Sequence, residues 1–139
     1  MAYWLFKSEP NTWSWEDQVK KGDVGEGWDG VRNHQASNNM KAMKVGDLGF
    51  FYHSVNEKRI VGIVEVIEEY HPDPTDASAR FGMVTVKAVK PVETPVTLAD
   101  IKAEPALEGF ALVRQSRLSV VPVDDAQWAK ILEMAGTRL

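Results

Sequence analysis

The sequence has no cysteine, no long apolar run and no excess of basic residues. Without cysteine, a disulfide framework, a thiolate zinc site, an iron–sulfur cluster and a cysteine nucleophile are all excluded. No apolar stretch approaches the roughly 18 residues that a membrane span needs. Residues 1–10 lack the basic and apolar regions of a signal peptide. We therefore expect a cytoplasmic protein that does not bind a membrane.

Charge and length set further bounds. The 16 basic and 20 acidic residues give a net charge of −4, so the long-range field does not attract a polyanion. Any nucleic-acid binding must therefore rest on local contacts. With 139 residues, 44% of them hydrophobic, the chain has enough apolar side chains for one core. We predict a single domain over 1–139, as a monomer or weak dimer.

Histidine and glycine spacing give no sign of a metal or phosphate site. His34, His53 and His71 are the only histidines, and no pair has a metal-ligand spacing. The glycines within 22–30 match neither phosphate-loop pattern. We therefore expect no metal and no cofactor. His53 and Ser54 lie on a predicted strand, where neighbouring side chains point to opposite faces, so His53 is interpreted as a structural residue.

Alternating apolar runs and capping signals predict a mixed fold. Strands are predicted over 3–7, 48–54, 60–70, 81–89 and 118–123. Helices are predicted after the capping residues Ser14, Thr97 and Asp124, and over 33–43. Loops are predicted over 22–30 and 71–76. Because strict strand–helix alternation is absent, the pattern favours an α+β class with a small, curved or barrel-like mixed sheet.

Two polar segments are candidates for ligand contact. In the first, Trp28 can stack on a flat ring while Asp29 and Asn33 hydrogen-bond to its edge. The alternative is that Trp28 fills the core and Arg32 pairs with Asp29.

The second polar segment, 112–119, carries two arginines. Arg114 and Arg117 flank Gln115 and Ser116 just before a predicted strand, and arginines suit bidentate contact with phosphate. Ion pairs with the acidic residues around 104–108 are the alternative. Both interpretations stay open.

Several segments, taken in order, resemble the EVE domain family. They are WLFKSEP at 4–10, WDGVRN at 28–33, MKVGD at 43–47, FFYHS at 50–54, VGIVEV at 61–66 and RQSRLS at 114–119. The resemblance covers essentially the whole chain. It implies a PUA-like pseudobarrel, a mixed curved sheet with peripheral helices, related to the YTH domain that reads methylated adenine in RNA.

The resemblance also implies a set of site residues. Trp28 corresponds to an aromatic wall of a base cage, and Ser8 and Ser54 to its floor and rim. The polar pocket or phosphate contacts implied are Arg32, Asn33, Arg114, Gln115 and Ser116. The full candidate set is Ser8, Trp28, Asp29, Val31, Arg32, Asn33, His34, Ser54, Arg114, Gln115 and Ser116. Two positions depart from the family pattern: His34 replaces a usual tyrosine, and Ser37 replaces a usual arginine that would contact phosphate.

The function implied is recognition of a modified base, flipped against Trp28, without catalysis. EVE domains are associated with modified cytosines, and DNA is favoured over RNA as the partner. One alternative is a module that binds a small nucleotide-like metabolite or a protein partner. Another is a nuclease or base-processing hydrolase that uses Glu9, Asp29 or His53.

Overall fold

A computed structural model describes all 139 residues and contains six strands and five short helices. The strands are β1 (Tyr3–Ser8), β2 (Glu26–Gly27), β3 (Leu48–His53), β4 (Arg59–Pro72), β5 (Gly82–Thr97) and β6 (Val120–Val123). The helices are α1 (Trp15–Lys20), α2 (His34–Lys41), α3 (Leu98–Ala103), α4 (Ala111–Arg114) and α5 (Asp125–Met134). None of them is long and apolar enough to span a membrane. The predicted α+β class, with a mixed sheet and peripheral helices, is confirmed.

All six strands form one sheet in the order β2-β5-β4-β3-β1-β6. β1 is parallel to β3 and antiparallel to β6, while the other neighbours are antiparallel. Because β1 has a strand on each side and is covered on both faces, its successive residues Leu5 and Phe6 are both fully buried. Its last residue, Ser8, lies opposite His53 at the end of β3. This end of β1 positions the candidate site.

The predicted capping signals are confirmed. At α1, the Ser14 Oγ accepts a hydrogen bond from the Asp17 N–H at 3.1 Å, and the Asp17 carboxylate accepts one from the Ser14 N–H at 3.0 Å. Thr97 and Asp124 begin α3 and α5 with the same reciprocal arrangement. Asn33 caps α2, where its side-chain oxygen accepts from the Ala36 N–H. These caps satisfy backbone donors that a helix start leaves unpaired.

Two predicted strand boundaries are wrong. β4 continues through His71 and Pro72, so the predicted loop at 71–76 begins at Asp73. β5 continues past Val89 to Thr97 and includes two prolines. Beyond Lys87, β5 pairs with β4 alone, and proline is tolerated on a strand edge because its missing N–H is not needed there.

The glycine-rich segment 22–30, predicted as a loop, contains the short strand β2. Gly25 has φ +71°, and a Cβ there would lie 2.5 Å from the Val86 carbonyl oxygen. Only glycine permits this close approach. This close approach lets β2 pair with β5. Directly after β2, the Trp28 N–H donates to the Val84 carbonyl at 2.7 Å. The sheet therefore fixes the backbone that carries Trp28 and Asp29.

Candidate functional site

The carboxyl end of β1 opens into a cavity of about 390 Å³, which we call the tryptophan cavity. A volume of this size is typical of small-ligand sites. Nine residues line it: Lys7, Ser8, Glu9, Thr12, Trp13, Glu26, Gly27, Trp28 and Asp29. Of the predicted site residues, Ser8, Trp28 and Asp29 are therefore brought together here.

Trp28 is anchored in the hydrophobic core. Its ring meets Phe6 edge-on at 5.1 Å between centroids and Phe51 at 5.5 Å, and only 8% of the residue is exposed. The alternative that Trp28 fills the core is confirmed, and because the residue also lines the tryptophan cavity, its stacking on a ligand stays a prediction. A wall anchored in this way is rigid, which lowers the entropy cost of stacking a ligand on it.

Trp13 is a second aromatic wall that the sequence interpretation missed. The other four tryptophans are buried, while Trp13 is half-buried and lines the cavity. Its indole Nε1 donates to the Gln18 Oε1 at 3.0 Å, and the Gln18 Nε2 donates to the Val86 carbonyl at 3.0 Å. No local pattern marks Trp13, because its exposure depends on how the segment after β1 folds back.

Ser8 holds that segment in place. Its Oγ donates to the Trp13 carbonyl at 2.5 Å, so its hydroxyl proton is already used. The Ser54 N–H donates to the Ser8 carbonyl at 2.9 Å, but Ser54 is not among the residues that line the cavity. Ser8 thus lines the cavity, and its predicted floor role stays a prediction, whereas Ser54 contacts the cavity only through the Ser8 backbone.

Arg32 does not pair with Asp29, contrary to the alternative considered above. Its Nη1 donates to the Asp73 Oδ2 at 3.1 Å. Asp73 is 3% exposed and also accepts from the Gly30 N–H at 2.8 Å and from both the N–H and the hydroxyl of Thr75. Burial alone would raise the pKa of Asp73, but these hydrogen bonds outweigh it and hold the pKa below its usual range. Asp73 therefore ties the segment after Trp28 to the β4–β5 connection.

The tryptophan cavity is acidic. It contains the carboxylates of Glu9, Glu26 and Asp29 and a single cation, Lys7. Burial raises the pKa of the Asp29 carboxyl, and the carboxylates of Asp73 and Glu26 raise it further. Burial also lowers the pKa of Lys7, whose Nζ donates to the Ser116 carbonyl at 2.9 Å. A phosphate is disfavoured in such surroundings, whereas an uncharged ring with hydrogen-bond donors is suited to them.

The second polar segment forms a separate depression, the arginine groove. It is lined by Asn33, Gln35, Arg114, Gln115, Ser116, Arg117 and Leu118. Lys7 joins the two depressions, since it lines the cavity and bonds to Ser116 in the groove. Asn33, which caps α2, therefore lines the arginine groove and not the tryptophan cavity.

The two arginines of the groove differ in their partners. The Arg114 Nε donates to the Glu108 carbonyl at 2.9 Å, and its Nη2 lies 3.7 Å from the Glu108 carboxylate. The predicted alternative of an ion pair in 104–108 thus holds for Arg114, with both side chains well exposed. Arg117 is exposed and makes no ion pair.

Three more of the positions singled out lie away from both depressions. Val31 is buried in the core, and the exposed His34 packs its ring against Phe81 at 5.1 Å. Ser37 is buried, and its Oγ is 2.8 Å from the Tyr70 hydroxyl. Ser37 thus faces the interior of the protein from α2, and the effect of having serine in place of the family's usual arginine stays a prediction.

His53 has the structural role that was predicted. Its Nε2 accepts from the Trp15 N–H at 3.0 Å, and its Nδ1 lies 2.9 Å from the Glu57 carboxylate. Both ring nitrogens are therefore engaged within the fold, and His53 does not line the tryptophan cavity.

The six-stranded mixed sheet, with a cavity at the end of β1, defines a PUA-like binding domain. The sequence matches the EVE domain family over residues 2–134, and the chain belongs to that family. Thymocyte nuclear protein 1 of Gallus gallus is 32% identical, with 96% of this chain and 68% of that protein aligned.

Solved structures are similar over the whole length. A crystal structure from Agrobacterium tumefaciens has a TM-score of 0.96 and 50% identity, covering 98% of this chain and 94% of that one. Human thymocyte nuclear protein 1 in complex with 5-methylcytosine containing DNA has a TM-score of 0.90 and 28% identity, covering all of both chains. The YTH domain of Zygosaccharomyces rouxii MRB1, with a TM-score of 0.56 and 20% identity, shares the fold alone.

Proposed function

We propose that the chain binds nucleic acid through one modified base, held in the tryptophan cavity, and catalyses no reaction on it. The carrying observation is a cavity of about 390 Å³ with Trp28 and Trp13 in its walls, in a chain that superimposes on a DNA-bound relative with a TM-score of 0.90. Because the DNA in that relative's complex contains 5-methylcytosine, we propose a modified cytosine in DNA as the ligand of this chain. Adenine and RNA are the competing ligands in the test below.

In this proposal the tryptophan cavity binds the base, and the arginine groove binds the phosphate backbone of the nucleic acid. A base that leaves its stack enters the acidic cavity and lies against an indole ring. The phosphates that flank the base lie along the arginine groove, where Arg117 is unpaired and Arg114 is exposed. Lys7 lies at the boundary, since it lines the cavity and donates to the Ser116 carbonyl in the groove.

The expected affinity is modest. Extruding a base from a duplex costs a few kcal/mol, and stacking on an aromatic side chain returns about 1–3 kcal/mol per base. Hydrogen bonds in the cavity and phosphate contacts in the groove must supply the remaining free energy of binding. Because the net charge is −4, long-range attraction adds little.

A binding titration tests the proposal. Fluorescence anisotropy of labelled oligonucleotides, in single-stranded and duplex DNA and in RNA, compares cytosine, 5-methylcytosine, 5-hydroxymethylcytosine, adenine and N6-methyladenine at one central position. Tighter binding of one modified base than of its parent is expected. Equal affinity for every base contradicts modified-base recognition.

Trp13 offers the sharper variant because it is half-buried. We expect Trp13→Ala to weaken binding about tenfold or more, since it removes one stacking wall, and Trp13→Phe to retain most of it. Circular dichroism of both variants checks that the fold is intact. Unchanged binding by Trp13→Ala would remove Trp13 from the site.

A small nucleotide-like metabolite is the second candidate, because its base would suit the acidic cavity and the negative net charge disfavours a polynucleotide. Salt dependence separates the two, because phosphate contacts make affinity fall steeply with salt and a neutral ligand does not. A hydrolase would use Glu9 and Asp29, which share the cavity. Incubation of DNA and RNA with the protein and divalent ions tests it, and we expect no turnover.

A further inference from the structure

We infer that Asp29 reads the exocyclic amino group of the bound base, so that the cavity accepts 5-methylcytosine and rejects thymine. The inference rests on the proposed function, and it names the chemical class of base that the site takes. That class is a base with an N–H₂ donor on the edge that faces Asp29. Thymine and uracil carry a carbonyl oxygen at this position instead.

A pocket for a methyl group cannot by itself recognise 5-methylcytosine. Thymine has the same ring size and the same methyl group on C5, so stacking and apolar contacts are nearly equal for the two bases. The bases differ on one edge: cytosine presents an amino donor at C4 and an acceptor at N3, whereas thymine presents a carbonyl acceptor at C4 and an N–H donor at N3, so the discrimination lies at C4. Selective recognition therefore needs an acceptor in the cavity wall, and a carboxylate is an acceptor only.

Asp29 is the carboxylate in the best position for this role. It lines the tryptophan cavity together with Trp28, which precedes it in the chain, and it is exposed to an incoming ligand. It accepts no hydrogen bond from another residue, because Arg32, the nearest cation in the sequence, is bound to Asp73. Glu26, by contrast, lies 3.4 Å from the Lys21 Nζ.

The electrostatics of the free protein agree with this assignment. The carboxyl group of Asp29 has a raised pKa, which burial and the neighbouring Asp73 and Glu26 explain. Arg32 offsets part of this effect, but no other residue donates a hydrogen bond to the Asp29 carboxylate, so a ligand that donates one adds a favourable contact. An acceptor oxygen of thymine, facing the same carboxylate, would instead be repelled.

The test uses single-stranded oligonucleotides that differ at one central position and are otherwise thymidine. Single strands remove base-pairing energies, and thymidine flanks supply no amino group. We expect the wild type to bind the 5-methylcytosine strand about tenfold or more tightly than the all-thymidine strand. Cytosine should bind more weakly than 5-methylcytosine but more tightly than thymidine, since it keeps the amino group.

Asp29→Asn is the informative variant, because an amide can donate as well as accept. We expect its preference for 5-methylcytosine over thymidine to fall to within about threefold, mainly through tighter binding of thymidine. Asp125→Asn removes the same charge from an exposed position on α5, outside both depressions, and should keep the wild-type preference.

The outcomes separate this inference from the proposed function. If the wild type binds 5-methylcytosine and thymidine equally, or if Asp29→Asn keeps the full preference, Asp29 is not the reader, although nucleic-acid binding stands. The wild-type comparison holds even if the variant fails to fold. If none of these strands binds, this inference is overturned, and if no strand of the wider titration in DNA and RNA binds either, the proposed function falls with it.

Discussion

At the residue scale, the two tryptophans of the cavity differ in how deeply they pack. Trp28 contacts Phe6 and Phe51 in the core, while Trp13 is half-buried above Gln18. We expect Trp28→Ala to lower the free energy of unfolding by about 3–5 kcal/mol, because it leaves a large cavity in the core. Trp13→Ala should cost clearly less. Urea denaturation of both variants checks this, and equal losses would contradict the packing described.

Asp29 has an unfavourable position for folding, and this predicts a stability effect of the opposite sign. Because its folded-state pKa lies above the unfolded value, ionisation of this carboxyl destabilises the fold at neutral pH. The destabilisation is absent below the unfolded pKa and complete above the folded pKa. Because Asp29 is exposed and solvent screens its charge, we expect Asp29→Asn to raise the melting temperature only slightly at neutral pH.

This gain in stability should shrink as the pH falls through the folded pKa of Asp29 toward its unfolded value. Thermal melts of the wild type and Asp29→Asn over that range provide the measurement. A variant that is less stable than the wild type at neutral pH would show that the carboxylate makes a compensating contact. A stable variant also ensures that altered base selectivity does not reflect unfolding.

At the element scale, Asp73 fastens the segment after β2 to the connection between β4 and β5. It is ionised and accepts hydrogen bonds from Gly30, Arg32 and Thr75. We expect Asp73→Asn to cost about 1–3 kcal/mol in unfolding free energy at neutral pH, since hydrogen bonds to a charged acceptor are weakened. Amide exchange of Gly30 should become faster.

The contribution of Asp73 to the free energy of unfolding decreases in acid. Its folded-state pKa is lowered, so the stabilisation is present above the unfolded pKa and is lost as the pH falls through the folded pKa. The difference between the wild type and Asp73→Asn should therefore narrow in acid. Protection of Gly30 that is unchanged in the variant would contradict this assignment.

Elements set by nearby residues could be predicted from the sequence. The helix starts at Ser14, Thr97 and Asp124 were predictable because each capping box joins atoms three residues apart. The end of β5 was not, since Pro91 and Pro95 are acceptable only where no further strand pairs with it. The strand propensity of the residues does not tell which strands will lie beside them.

The candidate site shows the same limit. Trp28 and Asp29 were found because aromatic, acidic and glycine residues are adjacent in the sequence. The alternative that Arg32 pairs with Asp29 is wrong, since its partner Asp73 lies 41 residues away and is reached only through the fold. Trp13 was missed because no local pattern distinguishes a half-buried tryptophan from a buried one.

At the scale of the whole molecule, an acidic chain must bind nucleic acid through a few local cations. Arg117 is exposed and unpaired in the arginine groove. We expect Arg117→Ala to weaken binding similarly for all bases and to reduce the slope of log affinity against log salt by about 1. Titrations between about 50 and 200 mM salt measure it.

Arg138→Ala is the matched control, because it removes one exposed arginine outside both depressions. Its salt slope should equal that of the wild type. A change in base preference, rather than in overall affinity, for Arg117→Ala would place Arg117 at the base instead of the backbone.

The most direct test of the account is the affinity of the wild-type protein for two DNA strands that differ by one methyl group, cytosine against 5-methylcytosine. A methyl group seated in a shaped pocket is worth about 1–3 kcal/mol. We therefore expect the methylated strand to bind about tenfold more tightly, with the preference lost in Trp13→Ala. Equal affinity of the wild-type protein for the two strands would contradict recognition of 5-methylcytosine by the tryptophan cavity.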